Sequence, residues 1–408
     1  MSAAAEATRR RLLFGALYLC EGAPIGFVWW ALPTILRERG VPVERIGALA
    51  SLLVLPWALK FLWAPVIDLG HGRGLVRWIA GAQLVMAATL LPLLGLDGDQ
   101  GLGWITAALL VHALAAASQD AAIDSLALRT TPAEERGRLN GWMQLGMLLG
   151  RALFGGGALV ARRWVGDAGL VLVLVAGLGA AAVALVLRGP AVPAATQDPV
   201  PLRRSLVAAL RRRTTWLGLL FAATSGAGFE AVGALAGPFL IDRGLASADV
   251  GLFLGLPAVG AMALGALAGG HLADRSGVRR TVLVGGIAVG ACVLLLAALA
   301  GTGGDLLVLA VLTAIYAGLG LFTAASYALF MALTDPELGA TQFSAYMGAT
   351  NLCESWSARL GGTLAQRSGY ASAFAWPAGL ALAALPLLLL LAPRARAATG
   401  SEPGHRLR

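Results

Sequence analysis

Gly269-Gly270-His271-Leu272-Ala273-Asp274-Arg275-Ser276-Gly277-Val278-Arg279-Arg280 joins two long apolar runs, 250–272 and 281–301. Its small glycines allow helices to approach closely, and its arginines favour retention of the loop on one side of a membrane. Asp274 is an acid suited to pairing with neighbouring arginines. The same alternation of apolar run and short polar loop continues in both directions, from Leu12 to Leu391. Each run has about the 20 residues that span a bilayer. They fall at 12–36, 46–67, 76–96, 102–126, 141–161 and 168–187, then at 216–241, 250–272, 281–301, 305–333, 343–364 and 371–391.

Composition leads to the same place. Of 408 residues, 58% are hydrophobic and 13% charged, against about 25% charged in a soluble domain. Mean hydropathy is +0.76. Soluble, disordered, collagen-like and coiled-coil readings all fail, and an all-α membrane protein of about twelve transmembrane helices is expected. The net charge of +9 is scattered between apolar stretches, with no basic face carrying interleaved aromatics, so no nucleic-acid partner is expected. Cys20, Cys292 and Cys353 stand alone, and the four histidines are dispersed, so neither a disulfide framework nor a metal site is legible. Arg9-Arg10-Arg11 before an apolar run imitates a signal peptide. That run is too long for one and lacks a small-residue cleavage site, so it reads as a retained first helix.

Residues 188–215 interrupt the pattern with Pro190, Pro193, Pro199 and Pro201, then a basic amphipathic stretch, 202–213. Proline breaks the helix there, and the basic part suits an anionic leaflet. The segment divides a six-helix half, 1–187, from a second, 216–408. If the N-terminus is cytoplasmic, 21 arginines fall on the cytoplasmic side and 7 on the other. This bias predicts a multi-pass protein with both termini in the cytoplasm. The halves also repeat one another. Arg39-Gly40 with Gly47 recurs as Arg243-Gly244 with Gly251, and Asp68 recurs as Asp274. Parallel six-helix repeats are the architecture of secondary transporters, with a site between the halves near the midplane.

The opening stretch resembles the G-x-L-x-D-R-x-G-R-R loop of the major facilitator superfamily, with Asp274, Arg275, Arg279 and Arg280 in its charged positions. Its first-half counterpart, Trp63 to Asp68, keeps the acid without a following arginine. Lys60-Phe61-Leu62-Trp63-Ala64-Pro65-Val66-Ile67-Asp68 is similar to a signature of the muropeptide permease (AmpG) branch, which also includes acetyl-CoA transporters. Ala117-Ser118-Gln119-Asp120-Ala121-Ala122-Ile123-Asp124, Pro132-Ala133-Glu134-Glu135-Arg136-Gly137 and Gly339-Ala340-Thr341-Gln342-Phe343 fit the same branch. The resemblance implies proton-driven import of a small molecule across the inner membrane. It implies a cytoplasmic gate at Asp68, Arg136, Asp274, Arg275, Arg279 and Arg280. Familiar muropeptide permeases are longer, with extra hydrophobic segments.

Eight charged residues lie within spans: Glu21, Asp120, Asp124, Glu230 and Glu354, and Lys60, Arg151 and Arg359. Each would cost roughly 2.5–3.5 kcal/mol facing lipid at a helix centre, so they are expected to face a cavity or one another. Glu21, loosened by Gly22, Pro24 and Gly26, is either a proton carrier or an acid neutralised by a structural arginine. Asp120 and Asp124 share a helical face beside Gln119. They either carry protons or form a latch with Lys60, Arg129 or Arg136. Glu230 is a further proton-coupling candidate. Arg151 either clamps an anionic substrate group or neutralises Glu21 or an acid of the fourth span. Glu354 and Arg359, five residues apart, are not an ideal helical pair. Trp29, Trp30, Trp57, Trp142 and Trp356 either stack on a ligand or anchor and pack.

No P-loop, HExxH or GxSxG is present, and Gly177-Leu178-Gly179-Ala180-Ala181-Ala182 lies inside a span with no strand before it. The chain therefore reads as a monomeric transporter and not an enzyme, without cofactor or metal, driven by an ion gradient. Its partners are lipid, protons and a bulky, polar, anionic solute. The orientation is testable in cells. A C-terminal green-fluorescent-protein fusion should fluoresce and a C-terminal alkaline phosphatase fusion should stay inactive; active phosphatase would reverse the topology.

Overall fold

Two apolar helical stretches are too long to be single spans. The computed structural model describes residues 3–68, 74–95, 101–132, 135–190, 211–334 and 339–391, and all regular structure in them is helical. Ten of its helical stretches are long and apolar enough to cross a membrane, and two of these, Arg138–Leu187 and Gln342–Leu390, run 50 and 49 residues. A straight helix of that length would extend about 75 Å, more than twice the hydrocarbon thickness. Each breaks at a glycine in the left-handed region, Gly166 (φ 67°) and Gly369 (φ 81°). Splitting them there gives twelve spans, as the sequence predicts.

We label these spans α1 (Ala5–Glu38), α2 (Val43–Leu62), α3 (Gly74–Gly95), α4 (Leu102–Thr130), α5 (138–165) and α6 (167–187). The second half holds α7 (Arg213–Asp242), α8 (Ser247–Ser276), α9 (Val278–Leu299), α10 (Asp305–Leu333), α11 (342–368) and α12 (370–390). Most of the expected linker, 191–210, lies outside the described residues.

The internal repeat is visible in hydrogen bonds. After α1, Gly40 (φ 83°) donates to Arg37 O and Val41 to Leu36 O. After α7, Gly244 (φ 89°) donates to Ile241 O and Leu245 to Leu240 O. Both are glycine caps that fold the last carbonyls back into the helix end. Arg243 then reaches Asp305 at 2.8 Å and the carbonyls of Ala300 and Gly303. In the first half Arg39 and Arg162 bind Asp167, and Arg162 also binds Glu38.

Within the halves, glycines set the helix spacing. Along α1 and α5, a Cβ at Gly26 would lie 2.7 Å from Arg151 Cα, and one at Gly150 would lie 2.7 Å from the Ala23 nitrogen. Gly265 and Gly269 of α8 pack likewise on the backbone of α10 at Ala317 and Leu321. The two halves meet along α2 with α11, and along α5 with α8. Gly47 faces Gly362 in the first interface and Gly251 faces Gly156 in the second. These are equivalent contacts in the two repeats.

Other contacts between the halves gather at the end bearing Gly40, Gly166, Gly244 and Gly369. There Arg37 pairs with Asp242 at 2.6 Å, Tyr370 donates to the same carboxylate, and Thr34 abuts Gly237. The contact of α5 with α8 is confined to this end as well, at 152–160 and 247–258. Towards the other end the halves still touch between α2 and α11, where a Cβ at Gly348 would lie 2.6 Å from Ala58 O.

Because the α1–α5 contact is backbone on backbone, Gly150→Leu should destabilise the protein by about 3 kcal/mol or more. Gly177→Leu, which adds a side chain into open space, should leave stability unchanged. Melting temperatures of the detergent-purified variants check this, and equal values would refute the spacing role.

Candidate functional site

Where α1, α2, α5, α7, α8, α10 and α11 converge, they enclose a cavity of about 260 Å³ between the halves. Its charged lining is Arg151 from α5, Glu230 from α7 and Glu354 from α11. Trp29, Trp30 and Trp57 form the wall from the first half, opposite Phe229, Tyr316, Phe322 and Tyr327 of the second. Trp29 and Trp57 meet edge to face at 5.5 Å, and the Trp29 indole donates to Glu354 Oε1 at 3.0 Å across the interface. Ser225, Thr323, Ser326, Thr350 and Asn351 add polar groups.

The local backbone explains this convergence. Three π-helical segments, Phe27–Ala31, Ala152–Gly156 and Leu254–Ala258, pack against one another in sequence, and the first reaches the cavity. A π segment displaces the residues after it relative to a regular helix, and such segments recur at functional sites. The first carries Trp29 and Trp30, and the second directly follows Arg151. α7 is interrupted at Ser225–Gly226, one turn before Glu230. Discontinuous helices of this kind line transport sites, because a cavity tolerates the freed backbone.

The remaining buried charges lie together in the first half. Lys60 Nζ binds Asp120 Oδ2 at 2.5 Å, and the Tyr18 hydroxyl donates to Asp124 Oδ1 at 2.6 Å. Glu21 is 1% exposed and one of its oxygens has no partner among the described residues. It feels the charges of Asp120, Asp124 and Lys60. Gln119, also buried, has neither amide atom satisfied. Two of the stretches that carried the resemblance meet here: Lys60 holds Asp120, and the Trp63 indole donates to Ser118 at 3.0 Å.

Of the sequence alternatives, the structure favours Lys60 as the partner of Asp120. Arg136 instead caps the end of α4, donating to the carbonyls of Leu128 and Thr131. Arg151 does not neutralise Glu21 or the α4 acids; it shares the other cavity with Glu230 and Glu354. Arg359 joins neither group, being exposed on α11. Trp356 is structural, its indole bound to Ala223 O, and Trp142 is exposed. Asp274 and Arg275 are exposed, and Asp274 makes no ion pair among the described residues; Arg279 binds Leu388 O, and Arg280 is exposed. The side chain of Asp68 lies outside the described residues. Glu135 is bound by Arg10 at 2.8 Å, which holds its carboxyl below the usual range.

Sequence reading missed Tyr18, although it lies three residues before Glu21 on the same helical face. It also missed Tyr316, Tyr327 and Asn351, uncharged members of apolar helices that carry no signal of their own.

Lys60→Met should leave Asp120 without its cation and lower stability by up to about 3 kcal/mol, as for a broken buried pair. Adding Asp120→Asn should restore most of that loss. A double mutant no more stable than the single one would show that the pair is not what Lys60 serves.

Comparison with known proteins agrees with this fold. A 27% identical stretch of 154 residues, 35% of this chain and 36% of the relative, matches putative transporter AmpG 3 of Rickettsia typhi. An uncharacterised protein of Haemophilus influenzae is 30% identical over 124 residues, 29% of this chain. The chain spans 28% and 36% of the lengths of the Haemophilus and Rickettsia relatives. Among solved structures, the nucleoside transporter NupG superposes with a TM-score of 0.71 at 15% identity, over 94% of this chain and 98% of that one. A bacterial homologue of the human lysosomal transporter Spinster, inward-facing and unoccupied, gives 0.68 at 17% identity, over 94% and 95%. The Major Facilitator Superfamily matches over residues 14–358 and 224–407, and the chain belongs to that family of membrane transporters.

Proposed function

We propose that this transporter is a proton-coupled permease of the inner membrane, importing a bulky polar solute such as a muropeptide or siderophore. It acts as a monomer of two halves, 1–187 and 216–408, joined by a cytoplasmic linker at 188–215, with both termini cytoplasmic. The solute occupies the cavity between the halves. The halves rock about it, alternately closing the end held by Arg37 and Asp242 and the end bearing the arginine-rich loops. The similarity to a protein named as a putative AmpG transporter supports the solute class.

The observation that carries proton coupling is the composition of the first-half cluster. Glu21, Asp120 and Asp124 face one cation, Lys60. Were all three acids ionised, two negative charges would lie uncompensated in a low-dielectric interior. Taking up protons removes that cost, and giving them up on the other side restores it. Glu21, buried with a free oxygen, is the proton carrier, and Asp120 with Lys60 tunes it. The cluster thus prefers one conformer when protonated and the other when not, which is what coupling to a gradient requires. Asp68, Arg136, Asp274, Arg275, Arg279 and Arg280 serve the cytoplasmic gate.

Liposomes loaded with the pH dye pyranine and reconstituted with the protein test this reading. Adding an anhydro-muropeptide outside should acidify the lumen as labelled solute enters, and a protonophore should abolish accumulation above the external concentration. Accumulation that persists with the pH gradient collapsed would rule out proton coupling.

A further inference from the structure

We infer that the cavity between the halves recognises an amphoteric solute, one carrying both an amine and an anionic group. The inference rests on the transport reading above and specifies the solute class for that same site. Its basis is the arrangement of the cavity's three charges. Arg151, Glu230 and Glu354 line one cavity, yet no ion pair within 4.0 Å joins Arg151 to either acid. Arg151 Nε is buried without a hydrogen-bond partner among the described residues. Glu354 accepts the Trp29 indole, whereas Glu230 makes no side-chain hydrogen bond among them. Arg151 acts on both acids only at a distance, through charge, so the guanidinium and Glu230 each keep a direct ionic contact free. Leaving those contacts unmade is costly in a water-poor interior, so a ligand that meets both is favoured over one that meets either.

The sign of the lining distinguishes the solute classes. The lining offers two carboxyl groups and one guanidinium, so a purely anionic solute would meet Arg151 and leave both acids without a cationic partner. A purely cationic solute would satisfy an acid and leave Arg151 unmatched. A neutral one would bring a charged partner to none of the three groups. An amphoteric solute places its carboxylate or phosphate on Arg151, whose planar fork suits either. Its ammonium goes to Glu230, and Glu354 stays oriented by Trp29. The tryptophan wall offers a flat face for a ring, and the hydroxyls of Tyr316 and Ser326, without partners among the described residues, offer hydrogen bonds to its substituents.

Thermal shift on the purified full chain tests this without requiring transport, so failed binding and failed proton coupling are separate results. The probes are an anhydro-muropeptide whose stem peptide bears a free amine, the same compound N-acetylated, the same compound with its carboxylates amidated, acetyl-CoA as an anion and uridine as a neutral control. The free-amine compound should raise the melting temperature by about 4 °C or more at saturation. Either capped form should lose most of that rise. In Glu230→Gln the free-amine and N-acetylated forms should become equivalent, and in Arg151→Gln the free and amidated forms should. Glu230→Asp, which keeps the charge, should retain discrimination and guards against a folding defect in the glutamine variant. The inference is overturned if acetyl-CoA or uridine stabilises as strongly as the free-amine compound. It is equally overturned if capping the amine makes no difference, or if no probe shifts the protein.

Discussion

The contact of α1 on α5, glycine backbone against helix backbone, is the constraint on which the functional arrangement depends. Gly22 and Gly26 meet Met147 and Arg151, while Gly146 and Gly150 meet Gly15, Leu19 and Ala23. No side chain fits between them. Two consequences follow along α1 itself. Glu21 is buried beside the α4 acids and Lys60, and Trp29 and Trp30, about 12 Å further along the axis, enter the cavity beside Arg151. One helix therefore carries the proposed proton carrier at one level and part of the cavity wall at the next. The π segment Phe27–Ala31 carries the second level, Trp29 and Trp30. A change in the charge state of Glu21 and a change in the wall are thus mechanically adjacent.

The buried charges are best understood as two sets and not one. Glu21, Asp120, Asp124 and Lys60 occupy the first half alone, with Tyr18 completing the hydrogen bonding. Arg151, Glu230 and Glu354 draw on both halves, and the Trp29–Glu354 bond crosses between them. A group that must change its proton count benefits from a fixed surrounding, which a single half supplies. A group that must grip and release benefits from walls that move apart, which the interface supplies. The Arg37–Asp242 pair ties the two halves together at one end.

Much of this was legible in the sequence, and for identifiable reasons. Span number followed from apolar run length, because lipid leaves no other way to satisfy the backbone. The repeat followed from Arg39-Gly40 and Arg243-Gly244, because only glycine takes the left-handed cap readily. Asp120 and Asp124 were placed on one face by helical period, and the pairing with Lys60 was among the alternatives. What the sequence did not resolve was the partition. Nothing in local spacing says whether Arg151 faces Glu21 or Glu230, since that depends on the rotation of α5 and on a π segment at Ala152–Gly156 with no sequence mark beyond its glycines. Arg359 appeared buried by position in its span and is instead exposed, because span position fixes depth but not direction.

The division of labour is tested most directly by comparing Glu21→Gln with Arg151→Gln in two assays on the same proteoliposomes, using a labelled anhydro-muropeptide. One assay is uphill accumulation driven by a pH gradient, and the other is exchange of labelled for unlabelled solute at equal pH. With separate sites, Glu21→Gln abolishes accumulation and keeps exchange, while Arg151→Gln abolishes both. Loss of exchange in Glu21→Gln together with its survival in Arg151→Gln would contradict the assignment of the two clusters.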